Sequence, residues 1–149
     1  MANPDAVGRS GAPFTLDVER GKIREFARAT GSADPAYLEE DRPVSPPTFL
    51  TTQFFWQDGE ANAWQLVELN QQRGLHAEQE YTFHGPPPRA GMRLQAQSTI
   101  TNLYEKEGKR GGTMTFVEMI TEFRDESGAL VAEAKMTGVE TGRAPEGEK

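Results

Sequence analysis

The sequence predicts an α+β domain in which a curved antiparallel β-sheet wraps one central α-helix. Helical periodicity occupies the first half of the chain, and the period changes to two from Leu75 onward. One helical stretch, Phe49 to Trp56, carries no charge and is apolar round most of its circumference, as a helix enclosed by a sheet would be. The alternating segments that follow are joined by turn residues, which favours antiparallel neighbours.

A short strand at Phe14 to Leu16 is expected first. A helix from about Val18 to Thr30 follows, with Ile23, Phe26, Ala27 and Thr30 on one face and Lys22, Arg24, Glu25 and Arg28 on the other. Asp17 is its expected N-cap and Gly31 its stop. The second helix should begin near Ser45-Pro46-Pro47-Thr48, capped by Ser45, with a proline in its first turn where a missing N–H costs little. Trp64 and Val67 suggest a turn or two of amphipathic structure. Four strands are then expected: Leu75 to Phe83, Arg93 to Tyr104, Thr113 to Arg124 and Ala129 to Val139. Their connections are Gly85 to Gly91, the charged loop Glu105 to Gly112, and the hairpin turn Asp125-Glu126-Ser127-Gly128. One domain over residues 14–140 is expected, with 1–13 and 141–149 as loose ends.

Composition narrows the function. The chain has 149 residues, enough for one core, and its 16 Lys and Arg against 23 Asp and Glu leave a net charge of −7. A net acidic surface argues against nucleic acid and against anionic membranes. The absence of cysteine excludes disulfides, thiolate nucleophiles and Cys-based zinc sites. No secretory signal and no apolar run of spanning length is visible, so the cytoplasm is the expected compartment. The two histidines, His76 and His84, lie eight apart on one expected strand, roughly 26 Å along it, and cannot share a metal from there. No metal and no cofactor is expected.

Four segments in order carry a family likeness: Val18 to Gly31, Pro46-Pro47-Thr48-Phe49, Leu75-His76-Ala77-Glu78-Gln79-Glu80-Tyr81, and Gly111 to Val117. Together they resemble a hotdog-fold domain of the MaoC-like hydratase/dehydratase family, of the N-terminal, FAS1-like dehydratase type. The resemblance covers about Phe14 to Val139. It implies addition of water to an enoyl thioester, or the reverse dehydration of a 3-hydroxyacyl thioester. That chemistry needs a base on the water and an acid at the α-carbon, both with pKa values near the working pH. Active members carry the pair in a Gly-Asp-x-Asn-Pro-x-His motif after the first helix. Backbone N–H groups at a helix start hold the developing enolate oxygen.

Here the motif is Gly31-Ser32-Ala33-Asp34-Pro35-Ala36-Tyr37. Its frame survives in Gly31 and Pro35, but Ser32 replaces the aspartate and Tyr37 the histidine. A serine without a partner to take its proton is no base, and a phenol with a reference pKa of about 10 is a poor one at neutral pH. The resemblance therefore implies a subunit without its own catalytic residues. Such a chain would pair with a catalytic hotdog subunit, or with itself as a homodimer, and help line the path of an acyl-CoA or acyl-carrier-protein thioester.

Two alternatives stay open: a self-sufficient hydratase or thioesterase using Asp34 or His76 as substitutes, and a non-enzymatic acyl-thioester binding module. Thr48, Phe49, Phe55 and His76 are the substrate-binding candidates. Each has a plainer reading. Asp34 before Pro35 is also a turn residue, His76 beside Glu78 and Glu80 also fits a solvated strand face, and Phe54, Phe55 and Trp56 also fit a core. Lys106, Lys109 and Arg110 form a small basic loop that suits either a carrier-protein contact or a solubilising hairpin tip.

Overall fold

Five antiparallel strands form one sheet in the spatial order β1-β3-β4-β5-β2. They are β1 (Phe14–Asp17), β2 (Gly74–Phe83), β3 (Arg93–Glu107), β4 (Thr113–Arg124) and β5 (Leu130–Glu140). The computed structural model describes residues 2–108 and 112–142. All five expected strands are present. The link from β2 to β3 is not a hairpin, because β4 and β5 lie between them. It crosses instead to the far half of the sheet, tied down by hydrogen bonds from Ser45 N to Pro88 O (2.8 Å) and Gly91 N to Val18 O (2.9 Å).

Register assigns the faces. Leu94, Ala96, Ser98 and Ile100 of β3 lie on the core face with Val117, Met119, Thr121 and Phe123 of β4, and all eight are buried. Two apolar clusters cover that face. The first gathers Leu16, Ile23, Phe49, Leu50, Leu94 and Phe123, and the second Ala6, Val67, Ile100, Val117 and Met119. Between them the cross-strand pair Ser98 and Thr121 is fully buried and joined Oγ to Oγ1 at 2.8 Å, which satisfies both hydroxyls.

Helix α1 (Arg20–Ala29) buries Ile23 and Ala27 and places Ile23 and Phe26 on the first cluster. It starts at Glu19, without a side-chain cap, because Asp17 is taken into β1, where it meets Arg93 at 3.4 Å. It stops at Gly31, whose φ of +74° reverses the chain at little cost for a residue without Cβ. A four-residue helix α2 (Pro35–Leu38) follows.

The expected central α-helix is replaced by a seven-residue 3-10 helix, Phe49–Phe55. Ser45 does not cap it; its N–H goes to Pro88 and its hydroxyl is buried elsewhere. The segment has buried Phe49, Leu50, Thr52 and Gln53, so apolar and polar side chains share the buried side. Phe54 and Phe55 face outward at 40% and 77% exposure, so the plainer core reading fails for these two. Three shorter 3-10 turns, Gly59–Ala61, Ala63–Leu66 and Gln71–Arg73, complete the cover.

The opening segment is docked rather than loose. Gly8 N donates to Ile100 O and Gly11 N to Ser98 O, and Ala6 is fully buried in the second cluster. At the other end, Thr141 N donates to Arg73 O, and residues 143–149 lie outside the described residues.

Phe49 is fully buried and meets Phe26 edge to face at 5.8 Å. Phe49→Ala should cost about 3–5 kcal/mol in urea unfolding. The β4–β5 turn supplies a pH-dependent term. Asp125 accepts from Ser127 Oγ (2.6 Å), Ser127 N (2.9 Å) and Ala129 N (3.1 Å), and these bonds hold its carboxyl below its ordinary value of 3.8. The stabilisation is complete above pH 3.8 and is lost as the pH falls through the lowered folded value. Asp125→Ala should remove that acid-side loss, read as a smaller fall of Tm on acidification than in the wild type.

Candidate functional site

The degenerate motif is built as a helix stop followed by a helix start. Ser32 N closes α1 by donating to Ala27 O at 2.8 Å. Ser32 Oγ accepts from Asp34 N at 3.4 Å, and Asp34 Oδ1 accepts from Ala36 N at 2.9 Å, which makes Asp34 the N-cap of α2. Tyr37 is half-buried with its ring against the first core cluster. None of the three side chains is hydrogen-bonded to an acid/base partner among the described residues. The neighbouring surface is an open depression lined by Pro35, Ala36, Glu39, Glu40, Asp41 and Arg42, three of them carboxylates. An Asp34 engaged as a cap has the turn role that its Asp-Pro context suggests.

Of the expected substrate contacts, Phe49 is core, and its N–H, expected to be free, donates to Pro46 O at 3.0 Å. Thr48 is exposed at the head of the 3-10 helix. Phe55 lies under Lys22 Nζ at 5.0 Å and edge-on to Trp56 at 6.4 Å. The helix meets β2 through packing: Tyr81 and Phe83 lie against the cluster that holds Phe49 and Leu50, and burial pushes the Tyr81 phenol up. Phe54 and Phe55 thus stand on an element that leans on the outermost strand.

A β-bulge moves His76. The β2–β5 register pairs His76 with Gly138 and then shifts, so that Glu78 faces Thr137 and Gln79 faces Met136. His76 therefore shares the core face with Gln79 and Tyr81, while Glu78 and Glu80 lie on the outer face. This corrects the expectation that His76 and the two glutamates form one solvated face and that the two histidines share it. His84 pairs with Glu133 at 2.7 Å. His76 instead lines a groove of about 380 Å³ with Trp64, Gln65, Glu68, Leu69, Met136 and Gly138. That volume is in the lower part of the roughly 300–1,000 Å³ range of small-ligand sites. Glu68, on its wall, has a φ of +57°, the one positive value outside glycine among the described residues.

The groove is held open by two devices. The Trp64 ring lies on Gly138, where a Cβ would come within 2.9 Å of ring carbon Cη2. The segment after Glu68 is clamped by the buried Glu140, which takes Asn70 N at 3.0 Å and pairs with Arg73. Because β2 is the outermost strand, this groove sits at the free edge of the sheet.

Comparison with known proteins fits this architecture. The FAS1-like dehydratase domain region model matches residues 5–134. The chain belongs to that family. It is 33% identical over 137 residues to a UPF0336 protein of Streptomyces coelicolor, covering 86% of this chain and 87% of that one. It is 33% identical over 155 residues to a UPF0336 protein of Parafrankia sp., covering 96% and 97%. Among solved structures it resembles the C-terminally truncated HadBC (3R-hydroxyacyl-ACP dehydratase) complex of Mycobacterium tuberculosis, with a TM-score of 0.73, 26% identity, and coverage of 91% of this chain and 97% of that chain. It also resembles the ChsH1–ChsH2 complex of the same organism, with a TM-score of 0.66 and 14% identity over 92% and 86% of the two chains. The fold is thus the hotdog fold, here with a shortened central segment.

Sequence reasoning missed the groove. One signal was present: a glycine inside a strand, Gly138, marks a close approach, here by an aromatic ring. The bulge at Ala77 left no such mark. Among the described residues no cluster of three or more His, Cys, Asp or Glu is placed to hold a metal, and no helix is long and apolar enough to cross a membrane. Lys106 Nζ sits 5.0 and 5.1 Å over the stacked rings of Tyr104 and Phe116; its loop companions Lys109 and Arg110 lie outside the described residues.

Gly138→Ala should destabilise the chain by about 1–3 kcal/mol through its clash with Trp64. Adding Trp64→Ala should make the double variant less unstable than the sum of the single changes, as read in a urea double-mutant cycle.

Proposed function

We propose that this protein is the non-catalytic subunit of a two-chain hydratase/dehydratase, acting on enoyl and 3-hydroxyacyl thioesters carried by CoA or an acyl carrier protein. The observation that carries the reading is the motif from Gly31 to Tyr37. The dehydratase frame is kept at Gly31 and Pro35, its two proton-transfer positions hold Ser32 and Tyr37, and Asp34 caps α2 through Oδ1. The aspartate and histidine are then supplied by a motif-intact hotdog partner.

Three features support the pairing. The outer side of β2 has no neighbouring strand among the described residues, and such edges are normally paired or covered. Phe54, Phe55 and Leu75, at 40%, 77% and 58% exposure, are large apolar side chains on β2 or on the segment that leans on it. The solved relatives include two complexes of two different subunits. The groove lined by Trp64, Met136 and His76 lies at the same edge, where it would take up part of an acyl chain entering from the partner. The chemistry divides accordingly: the partner moves the protons, and this chain supplies wall and orientation.

The test is hydration of crotonyl-CoA and of a longer 2-enoyl-CoA, followed by loss of the enoyl-thioester absorbance. The chain alone should show no turnover above background. Addition to a hotdog protein with an intact Asp/His motif should raise that protein's kcat/KM by about tenfold or more, chiefly for the longer substrate. Robust turnover by the chain alone would overturn the assignment.

A further inference from the structure

The free edge of β2 carries a charge pattern that bears on which chain can dock there. Gly74–Phe83 contains Glu78 and Glu80 and no lysine or arginine. Both glutamates are exposed on the outer face. The neighbouring strands add no free cation on that face among the described residues. Lys135, opposite Glu80, is already bound to Glu118 at 3.2 Å. Glu133 is paired with His84 at 2.7 Å, and Glu122 with Arg124 at 2.9 Å. The Lys135 pKa is raised first by its hydrogen bond to Glu118, with further contributions from the Glu118, Glu78 and Glu80 charges, so this one lysine already serves three carboxylates.

Consider two copies of this chain joined edge to edge by antiparallel β2 strands. In registers that overlap the strands nearly fully with matching outer faces, Glu78 lies opposite or diagonal to Glu80 or Glu78 of the other copy. Like charges in these positions destabilise a strand pair, whereas opposite charges each contribute roughly 0.2–1 kcal/mol. The apolar and hydrogen-bonding features of the edge favour pairing, but its charges oppose pairing with itself.

We propose that the β2 edge selects against a second copy of this chain and for a different subunit, whose own edge strand carries Lys or Arg on the outer face opposite Glu78 and Glu80. This rests on the two-chain reading above and adds to it the chemistry of the partner's strand.

The partner's charge can be mimicked with the chain itself. A full-length copy carrying Glu78→Lys and Glu80→Lys presents the basic edge, and sedimentation equilibrium at low salt compares three samples. Wild type alone and the reversed chain alone should remain monomers, while the equal mixture should form a dimer at least about tenfold tighter than either self-association. The difference should vanish near 1 M salt, where the screening length is about 3 Å. Wild type dimerising as tightly as the mixture, or a mixture that stays monomeric, would each overturn the proposal. Should the reversed chain not fold by circular dichroism, Glu78→Gln/Glu80→Gln replaces it. The neutral chain must self-associate more tightly than wild type, and equal behaviour would overturn the proposal. The readout is mass rather than turnover, so the assignment of function stands or falls separately.

Discussion

Of the two edge strands, the four-residue β1 and the ten-residue β2, β2 is hydrogen-bonded to β5 on one side and, among the described residues, to no strand on the other, and the functional reading depends on that long open edge. An unpaired row of N–H and C=O groups is a template for another strand. At the other end of the sheet the first residues of the chain act differently: they run beside β3, joined by Gly8, Arg9 and Gly11, and carry pairing beyond the short β1. No described segment does the same for β2. The 3-10 helix Phe49–Phe55, whose Phe49 and Leu50 share a cluster with Tyr81 of β2, then turns two phenylalanines outward. The long edge of β2 thus stands without a neighbouring strand among the described residues, with Phe54, Phe55 and Leu75 exposed.

The strands were legible because half-buried sheets write their faces into the sequence with a period of two. Thr113 to Arg124 and Leu130 to Glu140 lie within a residue or so of where alternation places them. The central helix was not legible. An uncharged apolar stretch says that a segment is buried, but it does not separate an α-helix from a tighter turn, and Thr51 and Thr52 are β-branched residues of modest helical preference. Polarity at Thr52 and Gln53 was discounted, although both are buried. The face of His76 was hidden for a different reason: one extra residue at Ala77 inverts every side-chain assignment on one side of it, and no local residue type announces such a bulge. The docked amino-terminal segment was missed because small residues such as Ala2, Ala6 and Gly11 look like a loose end in composition, yet are what close packing against strand backbone requires.

The motif teaches a related point about reading chemistry from residue types. Asp34 is a carboxylate inside a hydratase-like frame, and from sequence alone it stays a candidate base. The structure gives its Oδ1 a partner, the Ala36 N–H, at the head of α2. That bond is what an N-cap makes, and it accounts for the residue without any reaction. The frame residues Gly31 and Pro35 persist for the same geometric reason: one stops α1, the other starts α2, and the turn between them is needed whether or not a reaction occurs.

Shortening the central segment also has a positive consequence. A full α-helix over the core face presses long side chains onto the sheet along its length. In its place, short 3-10 turns leave the Trp64 ring close against Gly138 and a groove between that ring and the first residues of β2. Closing this groove with a larger core would gain buried apolar area, on the order of 25 cal/mol for each Å². Two ordered features keep the groove in shape instead: the close ring-on-glycine contact and the buried Glu140 clamp on Asn70 and Arg73. A groove of 380 Å³ placed at the bare edge lies where a ligand held by a neighbouring subunit would cross the seam. Loss of proton-transfer residues, a short central helix, an open edge and a groove beside it are then consistent with one division of labour.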